Sequence, residues 1–242
     1  MKLHKSIMIG IICLMLTSIT GCGGSSTDSA KENLAEKYED ADIGNIIELG
    51  EYEQDNNEDN GLETVEWIVI AKEENKLLVL SKYCLDVMPY NNECADVTWE
   101  TCTLRKWLND DFYKEVFSKN EADIIIESEL TNPDNEAGYY DEGKGGNDTK
   151  DKVFLLSIEE IKKYMDSEKE RIADATAYAR ARGEILNFFD SGTGIPSWLL
   201  RSPGYKPNYA SHIGEDGSIS STGLSVDYDG LCIRPALWIK VK

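Results

Sequence analysis

Few side chains in this chain are of the types that catalyse reactions through a nucleophile or a metal ion. Beyond the first 22 residues there is one histidine, His212, which excludes a histidine-rich zinc site, and no Cys-x-x-Cys pair replaces it. The same region contains four cysteines: Cys84, Cys94, Cys102 and Cys232. A Cys–His nucleophile would require His212 beside one of them in space. A histidine within a strand is more often structural, so we assign no such site.

Three other chemical motifs are incomplete. Residues 138–144 fit G-x-x-x-x-G-K, but Gly145 stands where a P-loop needs Ser or Thr, and Asp141 and Glu142 would repel phosphate. Residues 54–61 are rich in carboxylates and amides, yet they lack EF-hand spacing and a closing glutamate, which favours a solvated turn. No carboxylate pair stands out among the acids, so a glycosidase is neither indicated nor excluded. We predict no catalytic residue, no metal site and no cofactor.

The N-terminus predicts a lipoprotein signal. Lys2 and Lys5 form a basic start, residues 7–19 are mostly apolar, and the segment ends in I-T-G-C at Cys22. This ending resembles the bacterial lipobox, in which a small residue precedes a cysteine that is lipidated before cleavage. The apolar run is too short for a stable transmembrane helix. We expect residues 1–21 to be a signal peptide and Cys22 to carry the acyl chains.

Composition predicts a flexible tether followed by one domain. Residues 22–44 contain a Gly/Ser-rich stretch and then a polar stretch with few apolar side chains, so we assign them to the lipid anchor and tether. Residues 45–242 have the size of one domain with a real hydrophobic core. The formal net charge of the chain is −20, which excludes nucleic acid as a partner and makes anionic lipid surfaces repulsive.

Two apolar runs near the C-terminus each contain one arginine. Residues 198–204 and 232–239 have the β-branched and aromatic content of strands, interrupted by Arg201 and Arg234. Pro235 holds the preceding arginine extended and removes one ladder donor, which indicates an edge or a bulge. An arginine inside such a run is either buried and fully hydrogen-bonded or presented at a strand end. We interpret both as structural residues.

These two runs, W-L-L-R-S-P-G and I-R-P-A-L-W-I, also resemble the C-terminal signature of an uncharacterised domain family of bacterial surface and secreted proteins. That family resembles C-type-lectin-like folds, the architecture shared by formylglycine-generating enzymes and variable ligand-binding domains. The resemblance extends over nearly all of the chain after about residue 45. It implies an α+β fold, with a mixed or antiparallel sheet whose N- and C-terminal strands pair, flanking helices and long irregular loops. Further segments that agree with the family pattern are residues 65–69, 80–83, 99–109, 151–157 and 176–179.

Local patterns predict the individual elements. Strands are expected at residues 46–52, 64–71, 76–81, 153–156 and in a hairpin over 209–220. Helices are expected at 101–117, after the capping residues Ser118, Ser157 and Ser167, and at 175–182.

Residues 131–149 form the longest irregular stretch and are our candidate functional surface. A loop of this length inside a compact domain is usually functional or disordered, and a disordered surface loop is the alternative here. Tyr139 and Tyr140 offer rigid contact area, and Asp141 is suited to accept sugar hydroxyls or hold a hard cation. We predict that these three residues bind a ligand and that Trp198 also belongs to the ligand-binding surface.

Together these patterns predict a lipoprotein on the extracytoplasmic face of a bacterial cell membrane. We expect its domain to bind a protein or glycan ligand without catalysis. The alternative is an enzyme of the formylglycine-generating type, for which the resemblance implies a reactive cysteine pair and copper. Cys84, Cys102 and Cys232 lie in apolar segments and are typical of core residues, although a disulfide between two of the four cysteines is also open.

The lipid anchor gives a direct prediction. Replacing the acylated cysteine, Cys22→Ala, should release the protein from the membrane fraction, because several acyl chains provide the anchor. Fractionation followed by immunoblotting measures the release. Unchanged retention in the membrane fraction would contradict the anchor.

Overall fold

The computed structural model describes residues 33–135, 143–183 and 194–242. The predicted signal peptide, Cys22 and the start of the tether lie outside these ranges, and so do Tyr139, Tyr140 and Asp141. Within the described ranges, no helix is long and apolar enough to cross a membrane.

The described residues form short helices and strands. The strands are β1 (Ile46–Tyr52), β2 (Glu63–Glu73), β3 (Lys76–Ser81), β4 (Asp86–Val87), β5 (Ile125–Ile126), β6 (Ser128–Leu130), β7 (Thr149–Asp151), β8 (Trp198–Pro203), β9 (Tyr209–Ile213), β10 (Ile219–Ser225), β11 (Cys232–Ile233) and β12 (Ala236–Lys240). The helices are α1 (Leu34–Lys37), α2 (Thr103–Trp107), which continues through a π-helical turn (Leu108–Phe112) into α3 (Tyr113–Val116), then α4 (Lys119–Ala122), α5 (Ile158–Tyr164), α6 (Glu168–Arg171) and α7 (Ala177–Arg182).

The strands are arranged in two five-stranded sheets and a small two-stranded sheet. The first sheet has the order β1-β2-β3-β12-β5, and its strands are antiparallel. The second has the order β10-β9-β8-β11-β4, in which β8 and β11 are parallel. β6 pairs with β7. The predicted α+β class is confirmed. The expected pairing of the terminal strands is wrong, because β12 lies between β3 and β5 and does not contact β1 along its edge.

Most predicted elements form because their apolar spacing matches the element. The β2–β3 hairpin is present, and its second arm is buried from Leu77 to Leu80. The predicted helix over 101–117 runs from α2 to α3. Leu104, Leu108 and Phe112 recur at every fourth position and are fully buried. The capping boxes predicted at Ser118, Ser157 and Ser167 are present and begin α4, α5 and α6.

The predicted strand over residues 153–156 is wrong. These four residues are buried, but only Phe154 forms a β-bridge, to Ala236. The backbone N–H of each of these two residues donates to the carbonyl of the other, at 2.9 and 2.7 Å. The segment crosses the core between β7 and α5, and a short apolar run has the same composition in a buried crossing as in a strand.

The predicted tether extends too far toward the C-terminus, because residues 33–44 pack on the domain. Ala35 and Tyr38 are buried, and the Tyr38 hydroxyl donates to the Glu48 carbonyl. Gly44 N donates to Val69 O at 2.8 Å. Little in the sequence indicated that this segment packs on the domain, because Ala35 and Tyr38 are its only buried residues among those described. The compact unit begins at Asn33.

The C-terminal segment passes from one sheet into the other at Arg234 and Pro235. β11 ends before these two residues in the second sheet, and β12 begins after them in the first. Pro235 lacks an N–H, so the interruption leaves no donor unpaired at this position. Its carbonyl accepts from Ser81 N at 2.9 Å. The proline therefore marks a crossing between sheets rather than a bulge within one sheet.

Arg234 is buried at this crossing, with 1 % of its surface exposed. Its Nε donates to Ser81 O at 2.9 Å and its Nη1 to Arg171 O at 3.3 Å. The guanidinium lies over the ring of Trp198, 5.1 Å from the ring centre. Burial lowers the pKa of Arg234 to about 10, which still leaves it charged at neutral pH. The arginine thus joins the end of β3, the end of α6 and the centre of the second sheet.

Removing this side chain should destabilise the domain. We expect Arg234→Ala to lower the free energy of unfolding by about 2–4 kcal/mol, because the Ser81 carbonyl loses the arginine donor in the core and the Arg171 carbonyl keeps only Trp198 Nε1. The control is Arg180→Ala, because the Arg180 side chain is 40 % exposed and pairs with Asp174 at the surface. Urea denaturation measures both variants. Equal transitions in Arg234→Ala and the unmodified protein would contradict a structural role.

Candidate functional site

The base of the 131–149 loop is the part of the candidate surface that the structure describes, as residues 131–135 and 143–149. Asn135 N donates to Gly143 O at 2.7 Å and so joins the two sides of the base. Asp134 accepts from Gly145 N at 3.0 Å and from Lys144 Nζ at 2.8 Å. These bonds hold the two sides of the loop together.

Glycines allow this close approach. A Cβ atom at Gly143 would lie 2.4 Å from Gly204 O, and one at Gly145 would lie 1.9 Å from Asn132 O. Both contacts are with backbone atoms, which cannot swing aside as the end of a side chain can. A residue with a side chain would not fit at either position, so both glycines are needed for the packing of the base.

Arg201 holds the first side of the base from inside the core, where 3 % of it is exposed. Its Nε donates to Asn132 Oδ1 at 3.2 Å and its Nη2 to Thr131 O at 3.2 Å. Its Nη1 donates to Leu155 O at 2.9 Å and to the Glu160 carboxylate. The arginine of the W-L-L-R-S-P-G run thus fixes the start of the loop.

Glu160 connects this network to helix α5. Its Oε2 accepts from Ser157 N at 2.8 Å, as the second half of the capping box, and also pairs with Arg201. The capping box was visible in the sequence. The ion pair was not, because nothing in the sequence relates two residues 41 positions apart.

Asn135 ties the loop to the second sheet. Its Nδ2 donates to Pro203 O at 2.9 Å, at the end of β8, and to Ser221 O at 2.7 Å, in β10. Sequence reasoning missed this residue, since asparagines in a polar loop are usually assigned to solvated turns.

Two grooves lie beside the base. One, of about 400 Å³, is bounded by the first side of the loop, α5 and β10, and the other, of about 450 Å³, by the second side and residues 96–101. Polar lining residues in the first include Asp134, Asn135, Glu159, Lys162 and Ser221. Those in the second include Asp96, Thr98, Glu100, Lys144 and Asn147. Carboxylates, amides, hydroxyls and ammonium groups of this kind can hydrogen-bond sugar hydroxyls or peptide groups.

A pair of tyrosines lies next to the second groove. The rings of Tyr205 and Tyr209 meet edge to face with centres 5.1 Å apart, and both residues are half-buried. Lys206 Nζ lies 4.9 Å from the Tyr205 ring centre and 5.4 Å from that of Tyr209. The following residue, Pro207, lines the second groove. This group adds an amphipathic edge to the polar grooves.

The prediction that Trp198 belongs to a ligand-binding surface is wrong for this structure. Trp198 begins β8, the central strand of the second sheet, and its exposed fraction is 0 %. Its Nε1 donates to Arg171 O at 3.0 Å, and Arg234 covers its ring. A tryptophan in a fully buried strand packs from both sides, so it is not available to a ligand at the surface.

The histidine and three of the four cysteines beyond residue 22 are buried. His212 is 4 % exposed, and burial lowers its pKa to about 4, far below the neutral range that acid–base catalysis uses. Cys102 is 2 % exposed, and burial raises the pKa of its thiol to about 12. At neutral pH the Cys102 thiol is therefore protonated and not a nucleophile, and the neutral imidazole of His212 is a weak base that has no proton to give as an imidazolium acid.

Three carboxylates meet in the loop between β1 and β2. Oxygen atoms of Glu53, Asp55 and Glu63 lie within 4.8 Å of one another. Glu63 is the first residue of β2 and lies just outside residues 54–61, which were considered for calcium. It does not stand at the EF-hand position, but its carboxylate lies next to this loop in the folded domain. Glu63 Oε2 accepts from Gln54 N at 2.7 Å and from Asp55 N at 3.2 Å, which gives the cluster a role in fixing the turn.

Arg201 gives a second stability prediction. Arg201→Ala should lower the free energy of unfolding by about 2–4 kcal/mol, because it leaves the Glu160 carboxylate without its counter-ion and removes the arginine donor from three oxygens of the loop base and core. Arg201→Lys keeps the charge but lacks the planar fork, so it should recover only part of the loss. Thermal and urea unfolding measure both. Full recovery by lysine, or a normal melting temperature in Arg201→Ala, would contradict this role.

Comparison with known proteins places these features in a family. Residues 74–241, more than half of the chain, match a family described as a domain of unknown function, DUF6273. No curated protein and no solved structure matches significantly. The matched region contains both arginines, both sides of the loop base and the crossing between the sheets. The chain belongs to the DUF6273 family.

Proposed function

We propose that this protein is a lipoprotein that is anchored through Cys22 to the extracytoplasmic face of a bacterial cell membrane and binds a protein or glycan ligand without catalysis. The N-terminal pattern supports the anchor, because it combines a basic start, a short apolar run and a cysteine after Thr-Gly. The membrane is then the first partner.

The observation that carries the binding function is the construction of the loop base. Arg201 and Asn135 connect it to β8, β10 and the core, and two polar grooves lie beside it. A loop held at both sides on a rigid scaffold is the usual arrangement for a variable binding surface. The buried Arg201 and the half-buried Asn135 fix this base, which suits a loop that presents a ligand-binding surface.

The lining of the grooves favours an uncharged or cationic ligand with many hydrogen-bonding groups. Asp134 and Glu159 outnumber Lys162 in the first groove, and Asp96 and Glu100 outnumber Lys144 in the second. The net charge of −20 also attracts cationic ligands and repels anionic ones over longer distances. Glycans and polar peptides meet these requirements.

We further propose that the domain is C-type-lectin-like. The α+β architecture, the antiparallel strands with short helices and the long loop in the middle of the chain support this proposal. The signature runs support it as well, since both arginines that interrupt them are buried where the two sheets and the loop base meet.

The alternative, an enzyme of the formylglycine-generating type, has less support. Such an enzyme would need two cysteines that reach both copper and a substrate. Cys84 and Cys232 are both 0 % exposed, and Cys102 is nearly so. Cys94 is the exposed cysteine among the described residues, and its sulfur accepts from Asn208 Nδ2 at 3.4 Å. Buried thiols are poor nucleophiles because desolvation disfavours the thiolate.

Substitution of the loop tyrosines tests the binding function. We expect the double variant Tyr139→Ser/Tyr140→Ser to lose at least about tenfold in affinity for hits from a glycan array or a displayed peptide library, since tyrosines often dominate such contacts. Its melting temperature should stay within a few degrees of the parent. Tyr83→Ser, two residues after the end of β3, is the control and should bind normally. Equal binding by the double variant would place the site elsewhere, with the Tyr205–Tyr209 pair as the next candidate.

A further inference from the structure

We propose that Cys84 and Cys232 are the two cysteines that form a disulfide in the mature protein, and that this bond closes the crossing between the two sheets. The sequence left the pairing of four cysteines open, and the structure contains all four as thiols. The proposal concerns a covalent site in the core and is separate from the ligand-binding surface.

Backbone hydrogen bonds hold Cys84 against the C-terminal segment. On one side of it, Ser81 N donates to Pro235 O at 2.9 Å. On the other side, Leu85 N donates to Ile233 O at 2.9 Å. Cys84 lies between these two anchors, so its position relative to residues 233–235 is fixed from both ends.

Cys232 begins β11, directly before the residues that Cys84 is held against. It pairs in register with Trp198 of β8, and Arg234, two residues further along, lies over the Trp198 ring. The same Arg234 donates to Ser81 O at 2.9 Å, close to Cys84 in the chain. Cys232 directly precedes Ile233, whose carbonyl accepts from the residue that follows Cys84. The two cysteines therefore lie on neighbouring segments inside the crossing, and both are fully buried.

The other two cysteines have different partners. The Cys102 Sγ accepts from Arg105 N at 3.4 Å and donates to Trp99 O at 3.4 Å, as the cap of α2. Cys94 is exposed and contacts Asn208 and Ser225. Among the four cysteines beyond residue 22, the contacts favour the pair Cys84 and Cys232.

Formation of the bond needs an oxidant. Two S–H bonds break and one S–S bond forms, and the two electrons and two protons pass to the disulfide of a thiol–disulfide oxidoreductase or of oxidised glutathione, which becomes two thiols. The neighbouring Cys84 thiol and burial hold the pKa of Cys232 well above its usual range, so the native thiols react slowly. The bond is thus expected to form during folding. In the cell, formation of the bond needs an oxidising compartment, and for this it rests on the proposed extracytoplasmic location.

The test starts from the mature lipoprotein extracted from membranes in detergent. Alkylation in denaturant without reductant should modify Cys94 and Cys102 alone, and mass spectrometry should recover peptides containing Cys84 and Cys232 joined by one bond. Reduced, unfolded protein that refolds with a glutathione redox buffer should form the same bond. Because the bond would close a loop of about 150 residues, its reduction should lower the melting temperature by about 5 °C or more.

Single variants separate this bond from nonspecific effects. Cys84→Ala and Cys232→Ala should each leave the remaining thiol open to alkylation and make the melting temperature insensitive to reductant. Cys94→Ala is the control and should keep the full sensitivity. Four free thiols after oxidative refolding, or a bond that joins another pair, would overturn the proposal. A bond that forms on refolding but is absent from the membrane extract would overturn the proposal for the mature protein, and it would also count against the extracytoplasmic location.

Discussion

The chain has to pass between two sheets at Arg234 and Pro235, and the arrangement of the domain depends on how this crossing is stabilised. β11 belongs to the second sheet and β12 to the first. The two residues between them, Arg234 and Pro235, must therefore leave no backbone donor or acceptor unpaired where the sheets meet. Pro235 removes one donor, and Arg234 supplies two, one to the carbonyl of Ser81 and one to that of Arg171. A buried arginine is costly to desolvate, and here the carbonyl oxygens and the Trp198 ring offset that cost.

Arg201 does at the loop base what Arg234 does at the crossing. It stands in the central strand of the second sheet and donates outward to Asn132, Thr131 and Leu155, with Glu160 as its counter-ion. The two arginines of the signature runs therefore connect the core to its two irregular regions.

Sequence patterns predicted the elements that depend on local periodicity. The apolar stripe of the helix over 103–116, the β2–β3 hairpin and the capping boxes were all visible, because each depends on residues a few positions apart. What depends on distant partners was not visible. The pairing of Arg201 with Glu160, the bonds of Asn135 to Pro203 and Ser221, and the burial of Trp198 follow from the order of strands, which the sequence does not encode locally.

The central claim is that the base of the loop is a fixed part of the domain. Amide hydrogen exchange measures this directly, because protection reports hydrogen bonds that open rarely. The structure predicts slow exchange at Asn135 N and Gly145 N, which donate to Gly143 O and Asp134 Oδ1, at rates closer to those of β8 than to those of an exposed loop. Exchange of these amides within seconds, with β8 protected, would contradict the account.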